Sequence, residues 1–264
     1  MPSSSNPVFQ RNEGFAKQGG YATFDTETRH LEDLYQAPSA TSLDTDRMTL
    51  DDVVVRTGML FAALLVTAVP TFLMRPGFGI VIGAGLIGMV LAFAIGFMKK
   101  PNPPLMFGYA LLEGVFVGGI SSYYAGAFGG GIIPQAVLGT LSAFATMLVL
   151  YKTGVIRNSP KFTKILTIAG VGYLVFGLVH FAGVMFGVWD SLYSGGGPLA
   201  ILLGLAGVTL ASLFLVLDFD FIEQGIRNGI PKPFAWTAAF GLMVTLVWLY
   251  LEILRLIAIL RGDN

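Results

Sequence analysis

The sequence predicts an all-α membrane protein with seven transmembrane helices. Between about Thr57 and Leu260 the chain is a series of apolar runs interrupted by very few charges. Seven of these runs are long enough to cross a bilayer, whose hydrocarbon core of about 30 Å needs roughly 20 residues of helix. The chain is 54% hydrophobic and 12% charged, whereas a soluble domain has about 25% charged residues. Lipid is therefore the expected surroundings of most of the chain.

Charge-free stretches and turn residues place the seven helices in order. Arg75-Pro76 ends the first, and Lys99-Lys100-Pro101 ends the second. Glycine-rich turns separate the third span from the fourth and the fifth from the sixth, and a basic loop separates the fourth from the fifth. The predicted spans are 54–74, 76–98, 104–125, 132–151, 165–189, 198–221 and 234–260.

The N-terminal segment differs in composition from the rest of the chain. Residues 1–56 hold 9 of the 16 acidic and 5 of the 16 basic residues, and Ser, Asn, Gly, Asp and Thr dominate the first 52 positions. No apolar segment follows a basic start, so a cleaved signal peptide is not expected. The composition is typical of disorder. The chain is thus predicted to consist of a polar, largely disordered tail over 1–52 and a seven-helix transmembrane domain over 53–264.

Basic residues are unevenly distributed between the two sides of the predicted bundle. Ten lie beside the first span or in the loops 2–3, 4–5 and 6–7, whereas only Arg75 and Arg261 lie on the other side. Short loops that are rich in Lys and Arg stay in the cytoplasm. The N-terminus is therefore predicted to be cytoplasmic and the C-terminus to lie outside.

Ionisable residues inside the spans are the first candidates for function. A charge at mid-bilayer costs roughly 2.5–3.5 kcal/mol on insertion scales, so it is retained only if it is paired, protonated or facing water. Glu252 and Arg255 are three residues apart and form either a simple ion pair or a site where Glu252 exchanges protons or binds cations. Glu113 has no basic residue within one helical turn, so it is either protonated or partnered by another helix. His180 is either a hydrogen-bonded core residue or a further partner.

Three acids cluster near the end of the sixth span. Asp218 and Asp220 are two residues apart and point to different faces of the helix, whereas Asp220 and Glu223 share a face. The cluster is either a solvated helix end or an acidic mouth of a pathway, because carboxylate oxygens are natural ligands of Ca²⁺. Two neighbouring carboxylates cannot both ionise at low cost, so such a pair would also respond to pH.

Several functional classes have no support in the sequence. The transmembrane domain lacks HExxH, a P-loop, GxSxG and the GxGD context of intramembrane aspartyl proteases. Residues 234–264 contain no Lys for a retinal Schiff base, and the chain has no Cys for a disulfide or a thiolate nucleophile. No enzymatic activity and no resident cofactor are expected.

Several segments resemble the Bax inhibitor-1/YccA family. Leu249–Leu254 reads LYLEIL and is similar to the family's last-span LYLDIINLF. Phe219-Asp220 resembles the start of its FDTQ motif, and Leu105–Gly114 resembles its third-span FGFALLTG motif. SNPVF over 5–9 and GYATF over 20–24 resemble a bacterial branch with a polar N-terminal extension.

The resemblance implies two three-helix layers around a central seventh helix, in a bacterial plasma membrane. It also implies a pH-sensitive calcium leak in which carboxylates of the sixth and seventh spans latch the pore. Carried across, the pair is Asp220 and Glu252, with Ca²⁺ as their ligand and as the transported ion. This chain has Glu at 252 where the family has Asp. It also places Asp220 and Glu252 32 residues apart, about seven more than in the family pattern. A direct contact would therefore need a bent or re-entrant start of the seventh helix.

The runner-up interpretation is a membrane protein that does not transport. In this interpretation the tail captures a membrane protease or another membrane protein and modulates proteolysis or stress and cell-death pathways, since a disordered segment can fold on a partner. The bilayer is the other expected partner, and no nucleic acid is expected.

Overall fold

The computed structural model describes residues 46–193 and 197–262, and this part of the chain is helical along most of its length. Seven helices are present there, each long and apolar enough to cross a membrane. The predicted all-α membrane fold is thus confirmed, and the protein is a multi-pass membrane protein. The helices are α1 Leu50–Met74, α2 Phe78–Gly96, α3 Pro103–Phe128, α4 Ile132–Lys152, α5 Pro160–Met185, α6 Pro198–Arg227 and α7 Ala235–Gly262.

The two sides of the bundle are named from the helix order. Helices α1, α3, α5 and α7 begin on the near side, where the connections 97–102, 153–159 and 228–234 lie. The far side holds the connections 75–77 and 129–131, the described parts of the α5–α6 connection, and the end of α7.

Local sequence explains where several helices begin. Thr49 and Asp52 form a capping box at α1, in which each side chain accepts a hydrogen bond from the other residue's backbone N–H at 3.2 Å. Pro103, Pro160 and Pro198 stand in the first turns of α3, α5 and α6, where a missing N–H has no cost.

Four helix limits, in three helices, differ from the prediction by a turn or more. Helix α1 begins at Leu50, so the predicted domain boundary at residue 52 lies inside its first turn. Residues 1–45, which make up most of the predicted tail, lie outside the described part. Helix α6 continues to Arg227, because the polar residues after 221 remain helical. Helix α5 begins at Pro160 and ends at Met185, since Gly187 adopts a positive φ of 69°.

The helices form two groups of three with α7 between them. In the first group α1 and α2 both pack on α3, and in the second α4 and α5 both pack on α6. Helix α7 packs against α1, α3, α4 and α6. The two layers around a central seventh helix, which the resemblance implies, are present. Most of α2 and α5 is left for lipid, with only 22% and 11% of their apolar windows buried.

Glycine lets α1 and α3 approach closely. A Cβ on Gly114 or Gly118 would overlap the backbone carbonyl oxygen of Leu64 or Ala68, respectively. Small residues at four-residue spacing have this role in membrane helices. Gly79 and Gly83 share the spacing but face outward, since a Cβ on either would have no heavy atom within 4 Å.

A short N-terminal strap, residues 46–48, ties the start of α1 to the α6–α7 connection. The Met48 N–H donates to Ile230 O, and the Lys232 N–H donates to Asp46 O, each at 2.8 Å. The Met48 side chain is buried against Gly225. Arg56 of α1 donates to Lys232 O at 2.6 Å. The near ends of α1, α6 and α7 are therefore joined by the backbone as well as by packing.

Candidate functional site

A buried ion pair lies inside the bundle, at the meeting point of α5, α6 and α7. Glu252 of α7 is only 2% exposed. Arg255, one turn later, donates through Nη1 to both carboxylate oxygens, at 3.2 Å and 3.1 Å. The i, i+3 pairing predicted from sequence is confirmed, and it lies well within the apolar part of the chain.

Aromatic side chains complete this pair. The Tyr173 hydroxyl of α5 donates to Glu252 Oε2 at 2.9 Å, and the Trp248 Nε1–H donates to Oε1 at 3.1 Å. The Arg255 guanidinium lies over the Tyr193 ring, 4.8 Å from its centroid, a favourable cation–π arrangement. We call the five residues Tyr173, Tyr193, Trp248, Glu252 and Arg255 the Glu252 centre. Each Glu252 oxygen receives two hydrogen bonds, so the carboxylate is saturated by protein donors.

A glycine on α6 makes room for the centre. A Cβ on Gly207 would overlap both Glu252 Oε2 and the Tyr173 hydroxyl. Because Gly207 of α6 has no side chain, the Tyr173 hydroxyl of α5 can reach the Glu252 carboxylate of α7. Loss of this space would separate the buried carboxylate from Tyr173, one of its three donor side chains.

Asp220 and Glu223 lie elsewhere, in a near-side cluster with α4 and the α4–α5 connection. Asp220 Oδ2 accepts from Asn158 Nδ2 at 2.7 Å and from Gln224 Nε2 at 2.6 Å. Glu223 accepts from the Tyr151 hydroxyl at 2.5 Å and pairs with Arg227. Glu223 is exposed and Asp220 is half-buried. This arrangement fits the solvated helix end of the two interpretations, and the mouth of a pathway stays a prediction.

The structure does not bring Asp220 and Glu252 together. Glu252 lies against Gly207, which precedes Asp220 by 13 residues on α6. At 1.5 Å per residue this is about 20 Å along the helix. The pairing implied by the resemblance is therefore not formed, because α7 begins at Ala235 after a short 3-10 turn and does not re-enter the bundle. Within the described residues no group of three or more His, Cys, Asp and Glu side chains is placed to hold a metal ion.

Two further carboxyl groups face the interior of the bundle. Asp218 is turned toward Gly241 and Thr245 of α7, away from Asp220, as the two-residue spacing predicts. Glu113 of α3 is 8% exposed and lies beside the Tyr109 side chain and Gly88 of α2. The sequence left two possibilities for Glu113, a proton or a partner on another helix, and no described residue forms an ion pair with it.

His180 is hydrogen-bonded and packed against aromatic rings near the Glu252 centre. Its Nε2 accepts from the Leu192 N–H at 3.4 Å, and its ring stacks on Phe176. The same ring meets the Tyr193 ring edge-on, with centroids 5.4 Å apart. His180 therefore fits the hydrogen-bonded core histidine of the two interpretations, and it supports the centre only through Tyr193.

The sequence analysis did not find the neutral hydrogen-bond donors around Glu252 and around the Asp220–Glu223 cluster. Trp248 is four residues before Glu252 on the same helix face, and this spacing could have indicated it. Tyr173, Tyr151 and Asn158 reach their carboxylates from other helices or loops, and nothing in their local sequence marks them.

Comparison with known proteins gives the family. A family model described as Bax inhibitor 1 like matches residues 6–262, nearly the whole chain. The chain belongs to the Bax inhibitor 1 like family. No curated protein matches the chain.

Proposed function

We propose that this protein of the Bax inhibitor 1 like family conducts cations of the calcium class across a membrane, and that the Glu252 centre is its closed gate. The observation that carries the proposal is a carboxylate that is 2% exposed, retained inside an apolar bundle and bound by a tethered cation, Arg255. A charged pair in lipid is costly to keep. A site for a passing cation gives a reason to keep it.

The closed state follows from the hydrogen bonds of Glu252. Both of its oxygens are occupied by Arg255, Tyr173 and Trp248. A Ca²⁺ ion requires oxygen ligands at 2.3–2.6 Å, so it can use Glu252 only after Arg255 has left. Arg255 thus occupies the place that a permeating cation would take, and its movement would open the centre.

Other acids extend the proposed route toward the near side, which we expect to be cytoplasmic because its loops are rich in Lys and Arg. Asp218 faces Gly241 of α7, and Asp220 and Glu223 lie at the near-side end of α6. Carboxylates at successive depths would lower the barrier for a cation and disfavour anions. This order supports a pathway along α6 and α7.

Removing the tethered cation should increase flux. Purified protein in liposomes that enclose a Ca²⁺ indicator would be compared as wild type, Arg255→Gln, and Glu252→Gln combined with Arg255→Gln. We expect Arg255→Gln to raise the initial Ca²⁺ flux about tenfold, equal to ~1.4 kcal/mol of barrier. The double variant lacks both the guanidinium and the carboxylate. Its initial Ca²⁺ flux should therefore fall to the level of protein-free liposomes. Arg255→Lys keeps the charge and should stay near wild type.

Equal flux in all four proteins would contradict the role of the Glu252 centre. Flux no greater than that of empty liposomes in both wild type and Arg255→Gln, from protein that is folded by size exclusion, would contradict conduction itself and favour the interaction role. A variant lacking residues 1–45 distinguishes these roles further. It should retain flux, because the centre is built from α5, α6, α7 and Tyr193.

A further inference from the structure

The start of α5 presents positive charge on the near side of the bundle. Between Lys152 and Lys164 the chain has four basic residues and no acidic one. Lys161 and Lys164 are exposed, and neither forms an ion pair with a described residue. The helix dipole disfavours a positive charge in the first turn, and the first turn of α5 has no acidic residue to offset Lys161. Helix stability therefore does not explain Lys161, whereas an external anion would compensate its charge.

The acids of the near-side cluster do not supply this counter-charge. Glu223 pairs with Arg227. Asp220 Oδ2 accepts hydrogen bonds from Asn158 and Gln224. Both carboxylates are thus engaged within the cluster, and the two lysines of α5 remain available to a ligand from outside the protein.

The two lysines lie on the face of α5 that is turned toward lipid. Residues three, four and seven apart lie on one side of a helix, so Lys161 and Lys164 share a face with Ile165 and Ile168. The exposed fractions of Ile165 and Ile168 are 65% and 63%, so the described part of the bundle leaves this face largely uncovered. The lysines therefore extend an apolar, lipid-facing surface toward the near side.

The depth of these lysines matches that of phospholipid headgroups. Met185, the last residue of α5, is 21 residues after Lys164, which is about 32 Å of helix. From Ile165 to Met185 the sequence contains no Asp, Glu, Lys or Arg. Because the hydrocarbon core of a bilayer is about 30 Å thick, an α5 that crosses it has Lys164 at the boundary between acyl chains and headgroups. A lysine at this level can direct its ammonium group into the headgroup layer.

We propose that Lys161 and Lys164 form a binding site for an anionic phospholipid, whose phosphate accepts from the two ammonium groups. The acyl chains lie along Ile165 and Ile168. A soluble anion would gain only the charge attraction, whereas a phospholipid also makes apolar contact with these two side chains, so the combination favours a lipid. The inference depends only on the near-side end of α5 and not on cation conduction.

Native mass spectrometry of the full-length protein in detergent tests the proposal. The protein would be titrated with dioleoyl phosphatidylglycerol, which is anionic, or with dioleoyl phosphatidylcholine, which has no net charge. We expect wild type to retain phosphatidylglycerol selectively. A lysine near an anionic lipid contributes a factor of about five to binding, so Lys161→Gln combined with Lys164→Gln should weaken the apparent affinity roughly twentyfold. Lys161→Arg combined with Lys164→Arg keeps both charges and should stay near wild type.

Lys99→Gln combined with Lys100→Gln is the matched control, because it removes the same charge from another exposed near-side connection. Its affinity for phosphatidylglycerol should equal that of wild type. The proposal would be overturned by an unchanged affinity in the Lys161 and Lys164 double Gln variant, by equal losses in the two double Gln variants, or by equal retention of both lipids in wild type. Displacement of the lipid by equimolar inorganic phosphate would also overturn it and indicate a site for a soluble anion. Selective retention that appears only after removal of residues 1–45 would overturn it in favour of the acid-rich N-terminal segment as the occupant.

Discussion

Replacing Glu252 with Gln is expected to destabilise the protein by about 3 kcal/mol. The change removes the only carboxylate that pairs with Arg255 among the described residues, and a buried charge without its partner typically costs about 3–5 kcal/mol. The lower value applies because 30% of the Arg255 side chain is exposed. The thermal midpoint of the purified protein in detergent, followed by loss of the monodisperse peak, is the measurement.

A double-mutant cycle makes this prediction specific. Glu252→Gln combined with Arg255→Gln removes both charges and leaves two amides that can bond to each other and to Tyr173. We expect the double variant to be more stable than Glu252→Gln alone, with a coupling energy on the order of 2 kcal/mol. A single variant as stable as wild type, or additive effects in the cycle, would show that the two side chains do not depend on each other.

Gly118→Ala is expected to have a similarly large effect on folding. Its new Cβ would overlap the Ala68 carbonyl oxygen, and a backbone atom of a packed helix cannot turn aside as a side chain can. Overpacking of this kind costs roughly 1–3 kcal/mol, and the upper end is expected because the obstacle is backbone. The change should lower both the thermal midpoint and the yield of monodisperse protein.

Gly108→Ala is the matched control on the same helix. A Cβ there would meet only Leu91 Cδ2, at 4.0 Å, an ordinary contact. Ala is also a better helix former than Gly by roughly 0.8–1 kcal/mol, so this variant should be as stable as wild type or more so. If both alanine variants behaved alike, the close approach of α1 and α3 would not limit stability.

The fold was predictable because its main determinant is local. Each span is a long apolar run, and bilayer thickness sets the same length for all of them. The exceptions lie where polar sequence stays helical. Residues 222–227 include polar and charged side chains but continue α6. Leu50 to Asp52 belong to α1 because Thr49 caps the helix.

The candidate residues were predictable, but most of their partners were not. The Glu252–Arg255 pair depends on a spacing of three within one helix, which the sequence displays directly. The Tyr173–Glu252 contact joins residues 79 positions apart and requires an empty Gly207 between two helices. The Asp220–Glu252 pair that the resemblance implies is not formed for a physical reason: helix rise carries the two carboxyls to different depths, and α7 is one continuous helix from Ala235.

The strap at residues 46–48 has a mechanical consequence. Two backbone hydrogen bonds and the buried Met48 side chain connect the start of α1 to the α6–α7 connection. A force applied to the chain ahead of α1 would reach the α6–α7 turn through short, stiff links. The two three-helix groups cannot tilt apart at this end without breaking those links, so rocking between them would pivot here and open mainly on the opposite side.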